Sequence, residues 1–184
     1  MRLGLSQVQE QAPTHSASNS IPQPAVAPTT KEIPYDYVAR FTLQGIRGNR
    51  VQDVVNVSVD GAFVVVTIGY SFIPAEQKDG STPTKDRLID FKYSVVDSGS
   101  GRELQNRPIH NIAGLGEANG IRPFRHLAKP MVFMPRSTIR FEVEEISEGD
   151  IYGREDPVTK QRFGAELFIV LHGYKMLGYG TGLS

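Results

Sequence analysis

The chain has 184 residues, a length that fits one domain with a single core and room for a tail. Its 20 lysines and arginines balance 20 aspartates and glutamates, so no overall charge directs it to nucleic acid or to an anionic membrane. It has no cysteine, which excludes disulfides, thiolate zinc sites and cysteine nucleophiles.

The N-terminal segment, residues 1–34, is rich in Gln, Ser, Ala, Thr and Pro and poor in charged and aromatic residues. Prolines at this density favour extended backbone, which cannot bury enough surface to order itself. We predict an extended arm that binds a neighbouring subunit, with a plain flexible tail as the alternative. Its partner-binding residues are predicted to include Pro22, Pro24 and Pro28. The segment lacks the apolar stretch of a signal peptide, so we expect synthesis in the cytoplasm.

From Tyr35 onwards the apolar residues recur at every second position, which predicts half-buried strands. The clearest strand has Ile139, Phe141 and Val143 alternating with charged residues. Similar alternation predicts strands at 39–43, 55–59 and 89–95. Asp60 and Gly61 predict a tight hairpin turn, because this pair readily adopts positive φ angles, so the strands on either side should pair antiparallel.

Two segments, Phe63–Ile68 and Leu167–Leu171, are apolar at successive positions, which predicts central strands covered on both faces. One of those covers could be another subunit. No apolar run is long enough to span a bilayer, so no membrane partner is expected. We predict an all-β fold, an antiparallel β-sandwich of jelly-roll type, over residues 35–178, followed by a glycine-rich tail over 179–184.

Catalytic motifs are weak throughout. No G-x-S-x-G elbow occurs, and His110 and His126 lack the spacing of metal ligands. Glu142 and Glu144 share one strand face as glycosidase carboxylates do, but charges on the wet face of a strand also block unwanted edge pairing. We therefore predict no catalytic, metal or cofactor site and no cofactor.

A cluster of arginines with an aromatic residue predicts a partner-binding patch formed by Arg122, Phe124, Arg125 and Arg136. Arginine and aromatic side chains bury large areas with little loss of flexibility, as in protein interfaces. Contact with a nucleic-acid backbone uses the same residues, but zero net charge and nearby acids favour a protein partner. A salt bridge between a loop and the sheet is the structural alternative.

The last third of the chain resembles small structural proteins of tailed bacteriophage virions. The resemblance lies in Arg122-Pro123-Phe124-Arg125, in the segment Pro130–Thr138 and in the segment Gly164–Lys175. It implies a jelly-roll-like subunit present in many copies, which decorates a capsid or forms part of a collar, vertex or tail. It also implies that the arm ties neighbouring subunits together.

These features and the resemblance predict a bacteriophage virion structural protein that binds neighbouring capsid or tail subunits through its arm and long loops. We expect a homo-oligomer or a subunit bound to capsid or tail proteins, located in the virion. One alternative is a carbohydrate-binding β-sandwich, in which Phe124, Tyr152 or Tyr179 stacks on sugar rings of a glycan. A second alternative is an enzyme of cupin or glycosidase type that uses His110 and His126 or a carboxylate pair.

Overall fold

Two antiparallel sheets form the part of the chain that the computed structural model describes, which is residues 30–75, 89–115 and 124–178. The all-β prediction is confirmed. The predicted partner-binding residues Pro22, Pro24, Pro28 and Arg122, and the predicted tail 179–184, lie outside these ranges. Within them, no helix has the length and apolar character needed to cross a membrane.

The first sheet has the strand order β1-β10-β3-β7, and a short strand, β9, also pairs with β10. Its strands are β1 (Lys31–Leu43), β3 (Gly61–Ile73), β7 (Phe124–Phe133), β9 (Gly153–Glu155) and β10 (Arg162–Leu177). The central positions belong to β3 and β10, as their two-sided apolar sequences predict. The edge strands β1 and β7 contain Pro34 and Pro130, and an edge is where a strand tolerates a residue without an N–H group.

The second sheet has the order β2-β8-β4-β5, with β6 also paired to β4. Its strands are β2 (Arg50–Asn56), β4 (Phe91–Asp97), β5 (Arg102–Glu103), β6 (Ile109–His110) and β8 (Thr138–Glu145). A four-residue helix, α1 (Asn111–Gly114), follows β6. Because β5 and β6 pair with the two ends of β4, they act as halves of one interrupted edge strand.

The strand order is that of a jelly roll. If β5 and β6 count as one strand and the short β9 is left out, eight strands remain. Renumbered 1 to 8 in chain order, they have the order 1-8-3-6 in the first sheet and 2-7-4-5 in the second. This is the arrangement of two interlocked Greek keys that defines the fold. The topology therefore agrees with the predicted jelly-roll-like sandwich.

The core lies between the sheets and is made of inward side chains from both. Phe41, Phe63, Phe91, Phe133 and Phe141 are among its fully buried members. The strand with the clearest alternation is confirmed as β8, in which Ile139, Phe141 and Val143 are buried. Burial of each phenylalanine contributes about 1.5–3 kcal/mol relative to an exposed position, so these rings dominate the stability of the fold.

The predicted hairpin at Asp60 and Gly61 is wrong. β2 pairs with β8 in the second sheet, whereas β3 pairs with β10 and β7 in the first. The turn therefore carries the chain from one sheet to the other, and Val59, predicted to face inward, is exposed. A short turn sequence fixes local backbone geometry but does not determine which strands pair, which here depends on the burial of β2 and β3 in opposite layers.

The first strand begins at Lys31, four residues before the predicted boundary of the domain. Lys31 to Pro34 pair with the last residues of β10. The start of β1 is also held by the buried Lys175, whose Nζ lies 3.8 Å from the centroid of the Tyr35 ring and 3.7 Å from Asp60 Oδ1. These contacts, one of them a cation–π interaction, fix the point at which the arm joins the sheet.

A buried carboxylate holds the connection between β1 and β2. Glu145 accepts hydrogen bonds from the backbone N–H groups of Gln44, Gly45 and Ile46 at 2.8–3.3 Å and from Asn49 Nδ2 at 2.6 Å. Gly45 adopts φ of +69° here, in the left-handed region that favours glycine. The acid therefore satisfies a cluster of partly buried donors with one side chain.

Candidate functional site

The outward side of the first sheet carries a broad set of apolar side chains together with the ion pair Arg40–Glu166, and we call it the apolar face. Its apolar members project away from the core on all four long strands. They are Val38, Val64, Ile73, Phe124, Val132, Phe168, Val170, Tyr174 and Met176. A two-layer sandwich needs only its inward sides to be apolar, so this second apolar surface is not required by the fold.

The apolar side chains form two rows that cross the sheet. One row runs from Pro34 through Tyr174 and Val64 to Val132. The other runs from Val38 through Val170 and Gly69 to Phe124. Val38, Phe124 and Val132 are each 48–49% exposed, although Val64 is buried. Solvent therefore reaches the apolar face mainly at its two edge strands, β1 and β7.

A polar row separates these two rows and contains Asp36, His172, Thr67 and His126. His172 Nδ1 lies 3.1 Å from Asp36 Oδ1, and its ring meets that of Phe124 edge to face at 4.5 Å between centroids. His172 Nε2 is buried and has no hydrogen-bond partner among the described residues. Phe124 therefore packs against a histidine that has one buried ring nitrogen.

The outward side of the second sheet is different, and we call it the charged face. Its charged members are Arg50, Lys92, Arg140, Glu142 and Glu144. Glu144 lies between two cations, with Arg50 Nη2 at 2.8 Å from Oε2 and Lys92 Nζ at 3.5 Å from Oε1. Desolvation alone would raise the pKa of Glu144, but the Arg50 hydrogen bonds and both positive charges outweigh it, so the pKa lies below the usual 4.5.

The structure does not bring the predicted arginine patch together. Phe124 and Arg125 begin β7, whereas Arg136 lies beyond the other end of that strand, in the turn to β8. Phe124 belongs to the apolar face, and the Arg125 guanidinium instead donates to the Ala113 carbonyl. Arg136 is exposed and adopts φ of +64°, with its N–H donating to the Val57 carbonyl at 3.2 Å. A partner-binding role for each of these residues stays a prediction.

Arg125 also lines a cavity of about 190 Å³ between β7 and the edge of the second sheet. Its walls are mainly apolar and include Ile68, Leu127 and Met131. Burial raises the pKa of Tyr93, at the same cavity, to about 12, although Arg125 and a hydrogen bond to Gln105 oppose this rise. The phenol is therefore neutral at ordinary pH.

The two histidines of the enzyme alternative lie on different sheets. His110 belongs to β6 of the second sheet and His126 to β7 of the first. Over the ranges that the structure covers, no three histidine, aspartate or glutamate side chains are grouped as metal ligands. Glu142 and Glu144 lie on the charged face beside basic residues. This is the arrangement expected of a solvated strand face.

The residues of the glycan alternative are also separated. Phe124 packs on His172, and Tyr152 packs against Phe72 with 5.7 Å between ring centroids. Tyr179 lies outside the described residues. Phe124 and Tyr152 therefore each use part of their ring surface within the domain.

The sequence analysis did not single out Val38, Val132, Val170 or Tyr174. A signal was present in β10, where apolar residues at successive positions predict a strand covered on both faces. Val38 and Val132 gave no such signal, because each stands next to inward apolar residues in an ordinary strand sequence. Their common surface follows only from strand order and register.

No known protein family matches the sequence, and no curated protein matches it. The chain has weak likenesses to solved structures, which include viral particle proteins. A crystal structure of a protein from Sulfurospirillum deleyianum aligns with 79% of this chain and 98% of its own, at 10% identity and a TM-score of 0.33. The VP2 subviral particle of infectious bursal disease virus aligns with 78% of this chain at 14% identity and a TM-score of 0.34.

The match covers 33% of the VP2 chain, so this chain spans about a third of its length. The structure of desmodium yellow mottle tymovirus aligns with 94% of this chain and 97% of its own, at 10% identity and a TM-score of 0.21. At these TM-scores the likenesses carry no argument about function.

Proposed function

We propose that this chain is a structural protein of a bacteriophage virion that binds copies of itself or neighbouring capsid or tail subunits. It is made in the host cytoplasm and contributes contacts rather than catalysis. The bacteriophage assignment rests on the resemblance of the last third of the sequence. The assembly role rests on the surface of the folded domain.

The fold is compatible with this role but does not by itself favour it over other roles. Jelly rolls occur in viral capsid proteins, in lectins and in cupins, so function depends on the surfaces and sites of the particular chain. The proposal therefore depends on the surfaces of the folded domain.

The apolar face is the observation that supports assembly best. Rows of apolar side chains on the outward side of a sheet, with exposed members on both edge strands, are not needed by a monomer and favour a site of protein contact. Val38 and Val132 lie on opposite edges of the sheet and are both about half exposed, at 48% and 49%. Covering such side chains contributes about 25 cal/mol per Å² of apolar surface, which favours association.

The experiment that tests this proposal is light scattering of the full chain and of a variant that begins at residue 30, each at several concentrations. A variant that began at Tyr35 would remove four paired residues of β1, so residue 30 is the better boundary. We expect the full chain to form a defined oligomer and the shortened chain to be a folded monomer, because assembly requires the arm.

Circular dichroism of the shortened chain is the control for folding. The proposal would be contradicted if the full chain and the shortened chain were both monomers and neither bound phage particles. Binding of a glycan to the full chain, measured as a rise in melting temperature, would instead favour the carbohydrate-binding alternative.

A further inference from the structure

We propose that the apolar face is the docking surface for residues 11–30 of a neighbouring copy of this chain. This inference rests on the proposed function, because it names the surface that receives the arm during assembly. The arm lies across the two apolar rows in extended form, and it is held by side-chain contacts rather than by backbone pairing.

The chemistry of the arm matches that of the apolar face. Residues 11–30 contain no lysine, arginine, aspartate or glutamate, and their apolar residues include Ile21 and Val26. Prolines at 13, 22, 24 and 28 remove backbone N–H groups that an apolar surface could not satisfy. The segment can therefore cover Val38, Val132 and their row neighbours without bringing a charge of its own, and its prolines lower the number of N–H groups that need a partner.

The charged face does not suit the same segment. An arm without charge laid over Glu144, Arg50 and Lys92 would remove water from these ions and return no new ion pair. Desolvation of charges without compensation opposes binding. The first sheet's outward side also carries the pairs Arg40–Glu166 and Asp36–His172, but it offers rows of apolar side chains that the paired positions of the second sheet lack.

Addition of the arm as an extra strand is disfavoured as well. Proline cannot donate to the backbone ladder, and four prolines in 20 residues would interrupt any new strand. The open edge at β7 contains Pro130, and β7 departs from its regular pairing with β3 beside that residue. Docking on the face of the sheet avoids both problems.

The position of the junction favours a neighbouring copy over the same copy. The arm joins β1 at Lys31, at the end of an edge strand, so it must reverse direction to reach its own apolar face. An extended segment rises about 3.1 Å per residue, which gives 20 residues a reach of about 60 Å. Four strands about 4.8 Å apart form a face only about 15 Å wide, so the arm can span an adjacent domain.

A photo-cross-linking amino acid at Val26 of the full chain tests the docking directly. We expect irradiation to give a covalent dimer, in which mass spectrometry places the cross-link on outward residues of β1, β3, β7 or β10. The substitutions Val38→Glu and Val132→Glu together should lower the dimer yield roughly tenfold or more, because the arm cannot solvate a buried carboxylate.

The substitution Val54→Glu is the matched control. Val54 is 47% exposed on edge strand β2, but it lies on the charged face, opposite Arg140. We expect this variant to cross-link as the original chain does. Circular dichroism reports whether each variant folds, and Val38→Gln with Val132→Gln replaces the double variant if the glutamates prevent folding.

Cross-links on the charged face, or an equal loss of dimer yield in the Val54→Glu variant, would overturn the docking. If the full chain still formed an oligomer in light scattering, the proposed function would be unaffected. Cross-links only within one chain would also overturn it, because the arm would then cover its own domain. A full chain that is monomeric and binds no particle would contradict the proposed function itself.

Discussion

The two sheets of this protein resemble each other on their inward sides and differ on their outward sides. Both contribute fully buried phenylalanines to one core. The first sheet presents rows of apolar side chains beside the pairs Arg40–Glu166 and Asp36–His172. The second sheet presents mainly charged side chains, with ion pairs around Glu144. The inward sides satisfy the needs of the fold, so the outward difference points to interactions beyond the single domain.

The two exposed valines show the difference at its simplest. Val38 and Val54 lie on the edge strands β1 and β2 and are 48% and 47% exposed. The cross-strand neighbour of Val38 is Val170, whereas that of Val54 is Arg140. A valine among apolar neighbours adds to a patch that a partner can cover, and a valine among charges does not.

The largest expected effect on stability comes from the single inward acid at the end of β8. Glu145→Gln should lower the free energy of unfolding by about 3 kcal/mol, because its amide group would meet backbone donors that now bind a carboxylate. Glu142→Gln, on the charged face of the same strand, should change it by less than about 0.5 kcal/mol. Urea unfolding measures both.

Equal effects from these two substitutions would contradict the distinction between the inward acid and the outward ones. The charged face would then contribute to folding as much as the interior does.

A smaller effect on the free energy of unfolding is expected from the substitution Glu144→Gln, which removes a carboxyl group whose pKa is lowered on the charged face. A lowered pKa means that its contribution to stability is present above the ordinary pKa of 4.5 and is lost as pH falls through the lowered value. The contribution should be below about 1 kcal/mol, because surface ion pairs are screened by solvent. Urea unfolding of the original chain and of Glu144→Gln, from about pH 6 down to about pH 3, measures it.

The difference in free energy of unfolding between the original chain and Glu144→Gln should shrink as pH falls, and also in about 0.5 M NaCl. A difference independent of pH and salt would mean that Glu144 acts through packing, and the charged face would then be less solvated than its ion pairs indicate.

Much of the fold could be predicted from the sequence, because alternation reports which side of a strand is buried. Ile139, Phe141 and Val143 show this in β8. Pairing partners could not be predicted, and the turn at Asp60 and Gly61 joins the two sheets instead of forming a hairpin. Turn chemistry acts over a few residues, whereas strand order depends on contacts distant in sequence.

The candidate site was predictable only in part. The two-sided apolar sequence of β10 indicated a second covered surface, and Phe124 was chosen for its aromatic ring. Arg136 was grouped with Phe124 by closeness in sequence, but β7 separates them. Val38 and Val132 are 94 positions apart in the sequence, and only the register through β10 and β3 places them on one face.

The most direct test of the account is the size in solution of the full chain carrying both Val38→Glu and Val132→Glu, measured by light scattering beside Val54→Glu. If the apolar face is the assembly surface, the double variant should be a folded monomer, and Val54→Glu should form the same oligomer as the original chain. An oligomer of unchanged size in the double variant, or an equal loss in Val54→Glu, would contradict the central claim.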